Sequence, residues 1–275
     1  MSRARTTVVC LDLSGTLMEG SSGTPIEGAV ETVGWLRRHV EVRFVTNVTS
    51  RSRRELIGQL ESAGLIEDPA EIVTPATVAE SVLVGRNLGG GILLVDPALE
   101  ADFGWFEADP EGPAVVLGTE AHDMRVADLQ PAFRRLLEGA EFFVLQRNRY
   151  FRASSGEMVT DIGPVAAFLA YAASSVPTVL GKPSSTLFET IADGAGASID
   201  ELLMVGDDAE FDVSAPISLG LSGVLVRTGK YRPGDEERFD PAPTATIDSI
   251  ADLPAWLEET AATSTAPGQD ATART

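Results

Sequence analysis

The chain has few of the residues on which many catalytic and metal sites depend. Its 275 residues include one cysteine and two histidines, so the sequence offers no internal disulfide, no cysteine-based metal site and no three-histidine zinc site. A Ser-His-Asp hydrolase is disfavoured for the same reason. No apolar run approaches the roughly 20 residues of a membrane span, and the short apolar stretch near the N-terminus has no signal-peptide cleavage site. We therefore expect a cytoplasmic protein that does not associate with membranes.

Positive charge is also scarce. The sequence has 41 acidic residues against 21 basic ones, which gives a formal net charge of −20. Nucleic acids and anionic membrane surfaces both require a basic face, so we expect neither as a partner. Only two of the basic residues are lysines, Lys182 and Lys230. The hydrophobic content of 44% is that of a globular protein.

The apolar pattern alternates between predicted strands and helices, which is typical of parallel α/β sheets. Three glycines at 89–91 break this pattern, and it restarts after them, which indicates a second, smaller α/β unit over residues 78–178. The first unit then comprises residues 1–77 and 179–259. Residues 260–275 are rich in Ala and Thr without an apolar face, and we predict a disordered tail. The predicted strands cover residues 7–13, 41–46, 72–74, 91–95, 114–118, 142–145, 178–180, 201–205 and 223–226.

Polar side chains follow four of the predicted strands. Ligands of open parallel sheets bind outside the carboxyl ends of the strands. We therefore expect the four motifs to converge on one edge of one sheet. The residues concerned are Asp12 in DLSGTL, Thr46 and Asn47 in FVTNVTS, Lys182 in VLGKPS, and Asp207, Asp208 and Asp212 in LLMVGDDAEFD.

These residue types suit phosphoryl transfer. A carboxylate can act as a nucleophile and form an aspartyl-phosphate. Two carboxylates and a backbone carbonyl provide the hard oxygen ligands that Mg²⁺ prefers, while ammonium, hydroxyl and amide groups can neutralise or donate to phosphoryl oxygens. Taken singly, each motif could instead be a loop cap, a turn or a solvated acidic loop; their common position after strands favours function. Lys230 in RTGKY is interpreted as structural or peripheral.

The motifs DLSGTL, VTN, GKP and GDDxxxD, in this order, resemble those of the haloacid dehalogenase superfamily. The α/β insertion between VTN and GKP is similar to that of its C2-capped, NagD-like subclass IIA. The resemblance covers residues 7–255 and implies a Rossmann-like parallel-sheet core with an inserted, smaller α/β cap domain of the C2 type. It implies a phosphatase that uses Mg²⁺ and acts on a phosphorylated small molecule, and a homodimer formed through the cap is a further expectation.

The resemblance implies a nucleophile and a metal site. Asp12 would be the nucleophile. Mg²⁺ would be held by Asp12, by the backbone carbonyl of Ser14 and by Asp207. Either Asp208 or Asp212 would support these ligands from behind.

The resemblance also implies contacts to the substrate. Thr46 and Asn47 would bind the phosphoryl group, and Lys182 would neutralise its charge. Ser14 and Gly15 would lie against the substrate. In this subclass the cap segment over residues 147–163 would add contacts, although a solvated hairpin is the alternative interpretation of that segment.

Ser14 departs from the family pattern. Most phosphatases of the superfamily have an aspartate at this position, which protonates the leaving group and then activates water. A positioned acid or base contributes about 10²–10⁴ in rate. We therefore expect alkyl phosphate monoesters to be poor substrates and aryl phosphates, pyrophosphate or phosphoramidates to be better ones. Two alternatives stay open: phosphotransfer to an acceptor other than water, and a weakly or non-catalytic regulatory protein that binds Mg²⁺ and phosphate.

Overall fold

Two parallel sheets organise the chain. The computed structural model describes residues 6–20, 23–119, 124–152 and 157–265. The strands in chain order are β1 Val8–Asp12, β2 Glu41–Val45, β3 Ile72–Val73, β4 Gly90–Val95, β5 Glu107–Ala108, β6 Ala114–Gly118, β7 Glu141–Val144, β8 Tyr150–Arg152, β9 Met158–Thr160, β10 Thr178–Val179, β11 Leu202–Gly206, β12 Ser222–Val226 and β13 Ala245–Ile247.

Helices cover the faces of these sheets. Local sequence explains where several of them begin; Ser52, for example, starts the second helix with a capping box that Glu55 completes. A π-helical turn over Ala209–Ser214 leads directly into the seventh helix. The helices are α1 Ala29–Leu36, α2 Arg53–Ser62, α3 Pro75–Gly85, α4 Gln130–Leu137, α5 Ile162–Ala173, α6 Ser185–Ala195, α7 Ala215–Ser218 and α8 Leu253–Thr265.

The larger sheet forms the core domain. Its six strands run in the order β13-β12-β11-β1-β2-β3, and all neighbouring pairs are parallel. The two central strands, β1 and β11, are buried along their whole length. Strands buried on both faces consist of continuous apolar runs, which is why VVCLD and LLMVG lack the alternation of a half-exposed strand.

The smaller sheet forms the cap. Its five strands run in the order β10-β7-β6-β4-β5 and are also parallel, and β8 and β9 pair separately as an antiparallel hairpin. The predicted fold class, a parallel-sheet core with an inserted smaller α/β cap, is confirmed.

Each of the two predicted domain limits falls inside a helix or a strand of the structure. The limit at residues 77/78 falls inside α3, and the limit at 178/179 falls inside β10. Strand β10 pairs with β7 and therefore belongs to the cap sheet, whereas the predicted domain limits had placed residues 179 and 180 in the core. Helix α8 extends to Thr265, so the first six residues of the predicted disordered tail are helical; residues 266–275 lie outside the described part of the chain.

The structure also bears on membrane insertion. Among the described residues, no helix combines the length and apolar character needed to cross a bilayer.

Candidate active site

Three carboxylates meet at the carboxyl edge of the core sheet. Asp12 is the last residue of β1, and Asp207 directly follows β11. Because β1 and β11 are parallel neighbours, with Leu11 opposite Val205, these two carboxylates come to lie side by side. Asp212 joins them from the π-helical turn, and one carboxylate oxygen from each of the three lies within 4.8 Å of the others. All three side chains are buried.

Lys182 contacts two of these three carboxylates. Its ammonium Nζ donates to Oδ1 of Asp12 and, at 2.8 Å, to Oδ1 of Asp212. Only 4% of the Lys182 side chain is exposed. The expectation that all four motifs follow strands of one sheet is wrong for this residue, because Lys182 follows β10 of the cap sheet. The cap thus supplies the ammonium, and the core supplies the carboxylates.

Asp207 is fixed by a close fit between two glycines. Its Oδ2 accepts a 2.6 Å hydrogen bond from the backbone N–H of Lys230. A Cβ atom on Gly15 would lie 2.1 Å from this oxygen, and one on Gly229 would lie 2.0 Å from it. Gly15 also has a φ of +90°, which L side chains rarely adopt. The structure therefore places Gly15 directly against the Asp207 carboxylate, and its contact with a substrate stays a prediction.

Asp208 and Asp212, the two residues proposed to support the metal ligands, lie in different surroundings. Asp212 is 3% exposed and belongs to the carboxylate cluster. Asp208 instead caps the following turn, where its Oδ1 accepts from the backbone N–H groups of Glu210 and Phe211 at 3.2 and 3.1 Å. Its Oδ2 accepts from Lys230 Nζ at 3.2 Å.

Burial, and then the neighbouring charges, shift the pKa values of Asp207, Asp212 and Lys182. Burial, followed by the charges of Asp12 and Asp212, raises the pKa of Asp207 to about 7. Burial likewise raises the pKa of Asp212 to about 6, although Lys182 opposes this shift. Burial acts to lower the pKa of Lys182, but Asp12 and Asp212 outweigh it and raise that pKa above its ordinary value. One ammonium therefore does not balance three buried carboxylates.

The donor set fits a hard divalent cation. Oδ1 of Asp207 is buried and accepts no hydrogen bond from the described residues, so a ligand position is available at the cluster. Every candidate ligand is an oxygen, which matches the preference of Mg²⁺. Three carboxylates and one ammonium carry a formal charge of −2, which one divalent cation would neutralise.

Thr46 and Asn47, which follow β2, have different contacts. Thr46 is buried at the end of β2, and its Oγ1 accepts a 3.2 Å hydrogen bond from the N–H of Val48, which leaves the hydroxyl proton able to donate elsewhere. Asn47 turns its amide onto Lys182: Nδ2 donates to the Lys182 carbonyl at 2.8 Å, and Oδ1 accepts from the Lys182 N–H at 2.7 Å. Asn47 therefore positions Lys182, and its contact with a phosphoryl group stays a prediction.

Ser14 and the cap segment face open space near the cluster. The side chain of Ser14 is exposed, in contrast to its buried neighbours. A cavity of about 270 Å³ is lined by Lys182 and by two cap arginines, Arg147 and Arg149. Beyond these arginines, strands β8 and β9 form a hairpin, as the alternative interpretation of residues 147–163 expected; residues 153–156 lie outside the described part of the chain.

One group of residues at the site was missed from sequence. The turn after β12 places Gly229 and the Lys230 N–H against Asp207, and Thr228 donates through Oγ1 to the carbonyl of Gly15. Lys230 had been interpreted as structural or peripheral, without a link to Asp207. The available signal was its position after a strand, which is the same signal that identified the other motifs.

Two family models match the chain. A haloacid dehalogenase-like hydrolase model matches residues 9–100, and a second model, described as HAD-hydrolase-like, matches residues 179–253. The human haloacid dehalogenase-like hydrolase domain-containing protein 2 is 37% identical over 243 residues, which cover 88% of this chain and 92% of that protein. The chain belongs to the haloacid dehalogenase-like hydrolase family. The predicted enzyme class, a hydrolase of this family, is thereby confirmed.

Other members of the haloacid dehalogenase-like hydrolase family are similar over comparable lengths. The bovine phospholysine phosphohistidine inorganic pyrophosphate phosphatase is 34% identical over 250 residues, or 89% of this chain and 91% of that protein. NagD from Escherichia coli K-12 has the same fold, with a TM-score of 0.78, 20% identity, and coverage of 90% of this chain and 98% of that one. The fold shared with NagD agrees with the predicted NagD-like arrangement of core and cap. The sequence motifs also predicted similarity to the haloacid dehalogenase-like hydrolase domain-containing protein 2 and to the pyrophosphate phosphatase, and these identities confirm it.

Proposed function

We propose that this chain is a Mg²⁺-dependent phosphatase that hydrolyses a phosphorylated small molecule through an aspartyl-phosphate on Asp12. The observation that carries this proposal is the buried cluster of Asp12, Asp207 and Asp212, two of which accept hydrogen bonds from the ammonium of Lys182. Membership in the family supports it, as does the similarity to a relative whose name describes a phosphatase of phospholysine, phosphohistidine and pyrophosphate.

The residues would divide the work as follows. An oxygen of Asp12 attacks phosphorus, and the bond from phosphorus to the leaving group breaks with its electron pair on the leaving group. Lys182 holds Oδ1 of Asp12 and places a positive charge beside the phosphoryl oxygens. The Thr46 hydroxyl donates to one of those oxygens. Water then attacks phosphorus, which releases phosphate and restores the Asp12 carboxylate.

The metal site would be formed by Asp12 and Asp207, with the backbone carbonyl of Ser14 as a further ligand. Asp212 would support it through its contact with Lys182. Bound Mg²⁺ would supply the positive charge that offsets the phosphoryl oxygens and the carboxylates. The seating of Asp207 between Gly15 and Gly229 supports this assignment, because it holds one oxygen in place and leaves the other directed into the cluster.

Ser14 would set the range of leaving groups. Its exposed hydroxyl stands where most family phosphatases have an acid, and a hydroxyl is a poor proton donor near neutral pH. We propose that substrates whose leaving groups depart without enzymatic protonation react best, namely aryl phosphates, pyrophosphate and phosphoramidates. A cytoplasmic location and a homodimer formed through the cap stay predictions.

The test is release of phosphate from a panel of substrates with and without Mg²⁺. The panel contains p-nitrophenyl phosphate, pyrophosphate, phosphohistidine or phospholysine, a sugar phosphate and a nucleotide monophosphate. We expect release that requires Mg²⁺ and that falls by about 10⁴-fold or more in Asp12→Asn, since the nucleophile is lost. A sugar phosphate or nucleotide monophosphate that reacts fastest would contradict the role of Ser14. Absence of any Asp12-dependent release would favour the regulatory alternative.

A further inference from the structure

We propose that a pocket at the edge of the core sheet, separate from the catalytic cluster, binds a small carboxylate with an apolar body. The pocket lies where the edge strand β3 meets helices α3 and α6, and Ile72, Thr77 and Ile191 line it from these three elements. None of the described residues that line it belongs to the carboxylate cluster. The inference goes beyond the proposed function and does not depend on it.

The size of the pocket limits its ligand to about one ring. The volume is about 190 Å³. A cavity of about 150 Å³ lined by apolar side chains binds benzene, whereas drug-sized ligands occupy roughly 300–1,000 Å³. A benzene-sized body with one small substituent therefore matches the available space.

Apolar side chains form much of the wall. Ile72 and Val73 come from β3, Val78 comes from α3, and Ile191 comes from α6. Transfer of apolar ligand surface from water to these side chains favours binding. The body of the ligand is therefore expected to be hydrocarbon rather than sugar.

The charge of the wall favours a monoanion. Arg43 and Arg53 line the pocket, and no acidic residue is among the described residues that line it, although the chain has 41 acidic residues against 21 basic ones. Arg43 forms an ion pair with Glu41, which leaves one formal positive charge. A carboxylate carries one negative charge at neutral pH, whereas a phosphate monoester carries about −1.5 to −2. One carboxylate therefore balances the wall.

Arg53 keeps unused hydrogen-bond donors. Its Nη2 donates to the carbonyl of Pro69, and among the described residues no carboxylate forms an ion pair with it. The carboxylate of Asp102 accepts from the Arg53 backbone N–H instead, at 2.7 Å. Nε of Arg53 is buried without an acceptor among the described residues. A guanidinium group presents paired N–H donors to a carboxylate, so Arg53 is the expected partner of the ligand.

The two hydroxyl groups of the pocket donate elsewhere. Thr77 Oγ1 donates to the Thr74 carbonyl at 2.9 Å, and Thr190 Oγ1 donates to the Thr186 carbonyl at 2.7 Å. Each hydroxyl has one proton, so neither is available to an anion. Recognition of the carboxylate therefore depends on the arginines.

Benzoate is the probe for this site, and benzamide is its neutral counterpart of nearly the same shape. NMR titration of the isotope-labelled full chain, without Mg²⁺ or substrate, would measure both dissociation constants and locate the site. We expect benzoate to shift the amide signals of Ile72, Thr77 and Ile191 with a dissociation constant of about 1 mM or below. Benzamide should bind at least about fivefold more weakly, because it lacks the charge.

Two variants test whether binding occurs in this pocket. Arg53→Gln removes the charge. Gly194→Leu should fill the pocket, because Gly194 lines it and a Cβ atom added there meets no heavy atom within 4 Å. Each change should weaken benzoate binding by about fivefold or more.

Helix α2 supplies the matched controls, Arg54→Gln and Gly58→Leu. Arg54 is exposed, and a Cβ atom added to Gly58 also meets no heavy atom within 4 Å. Neither is among the described residues that line the pocket. Both controls should keep the benzoate affinity of the unmodified protein.

Four results would overturn the inference. They are no saturable binding of benzoate, equal affinity for benzoate and benzamide, shifts confined to the catalytic cluster, and unchanged benzoate affinity in either pocket variant. Because the titration uses neither Mg²⁺ nor substrate, its failure would leave the proposed phosphatase activity untouched, and loss of that activity would leave this site untouched.

Discussion

The core and cap sheets share one architecture but differ in what their carboxyl edges contain. After cap strand β4, Asp96 caps a local turn by accepting from the N–H of Ala98, and after β7, Gln146 is satisfied by Asp161. At the ends of core strands β1 and β11, Asp12 and Asp207 are buried together, and Asp12 accepts from the cap residue Lys182. A polar residue after a parallel strand is therefore common to both sheets, and the imbalance of buried charge distinguishes the catalytic edge.

One cap residue, Lys182, offsets part of this buried negative charge. Lys182 leaves β10 of the cap sheet and contacts Asp12 and Asp212 of the core. Asn47, from the core, holds the Lys182 backbone with two hydrogen bonds. The contact between the two domains is thus part of the candidate active site. Three changes test this difference between the edges, in order of decreasing expected effect.

The largest effect should come from Ser14→Asp, which introduces a general acid at the position where most family phosphatases have one. We expect kcat/KM for an alkyl phosphate such as glycerol 3-phosphate to rise by about 10²–10⁴-fold, because the new carboxyl group can protonate the leaving group. Activity toward p-nitrophenyl phosphate should change by less than about tenfold, since its leaving group needs little protonation. Steady-state phosphate release measures both.

Ser14→Asn is the control for this change, because it has nearly the same shape as the aspartate without its proton chemistry. It should not improve alkyl phosphates. An equal improvement of alkyl and aryl substrates by Ser14→Asp would contradict the assignment of Ser14 as the determinant of leaving-group preference.

The two lysines of the chain provide the second comparison. Lys182→Met removes the ammonium from between Asp12 and Asp212 and should lower the free energy of unfolding by about 3–5 kcal/mol, because it leaves buried carboxylates unpaired. Activity should fall by about 10²–10³-fold with the loss of charge beside the phosphoryl group. Lys230→Met is the matched variant. Its side chain is 69% exposed, so its ion pair with Asp208 should contribute less than about 1 kcal/mol.

Urea unfolding monitored by circular dichroism, together with phosphate release, would measure both lysine variants. Equal destabilisation by the two changes would show that the burial of Lys182 does not govern its contribution.

The third change tests whether the close fit of Gly15 against Asp207 holds this carboxylate in position. Gly15→Ala should weaken Mg²⁺ binding by about tenfold or more, since the new Cβ would lie 2.1 Å from Asp207 Oδ2 and must displace it. Gly234→Ala is the control, because Gly234 has a similar φ of +96° but no heavy atom within 4 Å of the added Cβ. It should lose only about 1–2 kcal/mol of stability to backbone strain. Calorimetric titration would measure the Mg²⁺ affinity of both variants. Equal affinities would contradict the proposal that Gly15 holds Asp207 in position for the metal.

Much of this arrangement is predictable from local sequence. Asp12 and Asp207 each follow a continuous apolar run, and such runs reliably indicate buried parallel strands. Lys182 was identified for the same reason, but its sheet was assigned wrongly because β10 has only two residues and no pattern of its own. The roles of Asn47, Gly15 and Gly229 depend on contacts between segments far apart in the chain, which no local pattern contains. Strands β5, β8, β9 and β13, each of two or three residues, were not predicted, although the equally short β3 and β10 were.

The most direct test of the account is whether the phosphoryl group passes through Asp12. Borohydride added during rapid-quench turnover of p-nitrophenyl phosphate reduces an aspartyl-phosphate to homoserine, which peptide mass spectrometry can locate. The account predicts homoserine at position 12, formed only when Mg²⁺ and substrate are both present, and none in Asp12→Asn. A burst of p-nitrophenol equal to the enzyme concentration without modification at position 12, or with modification at another carboxylate, would contradict it.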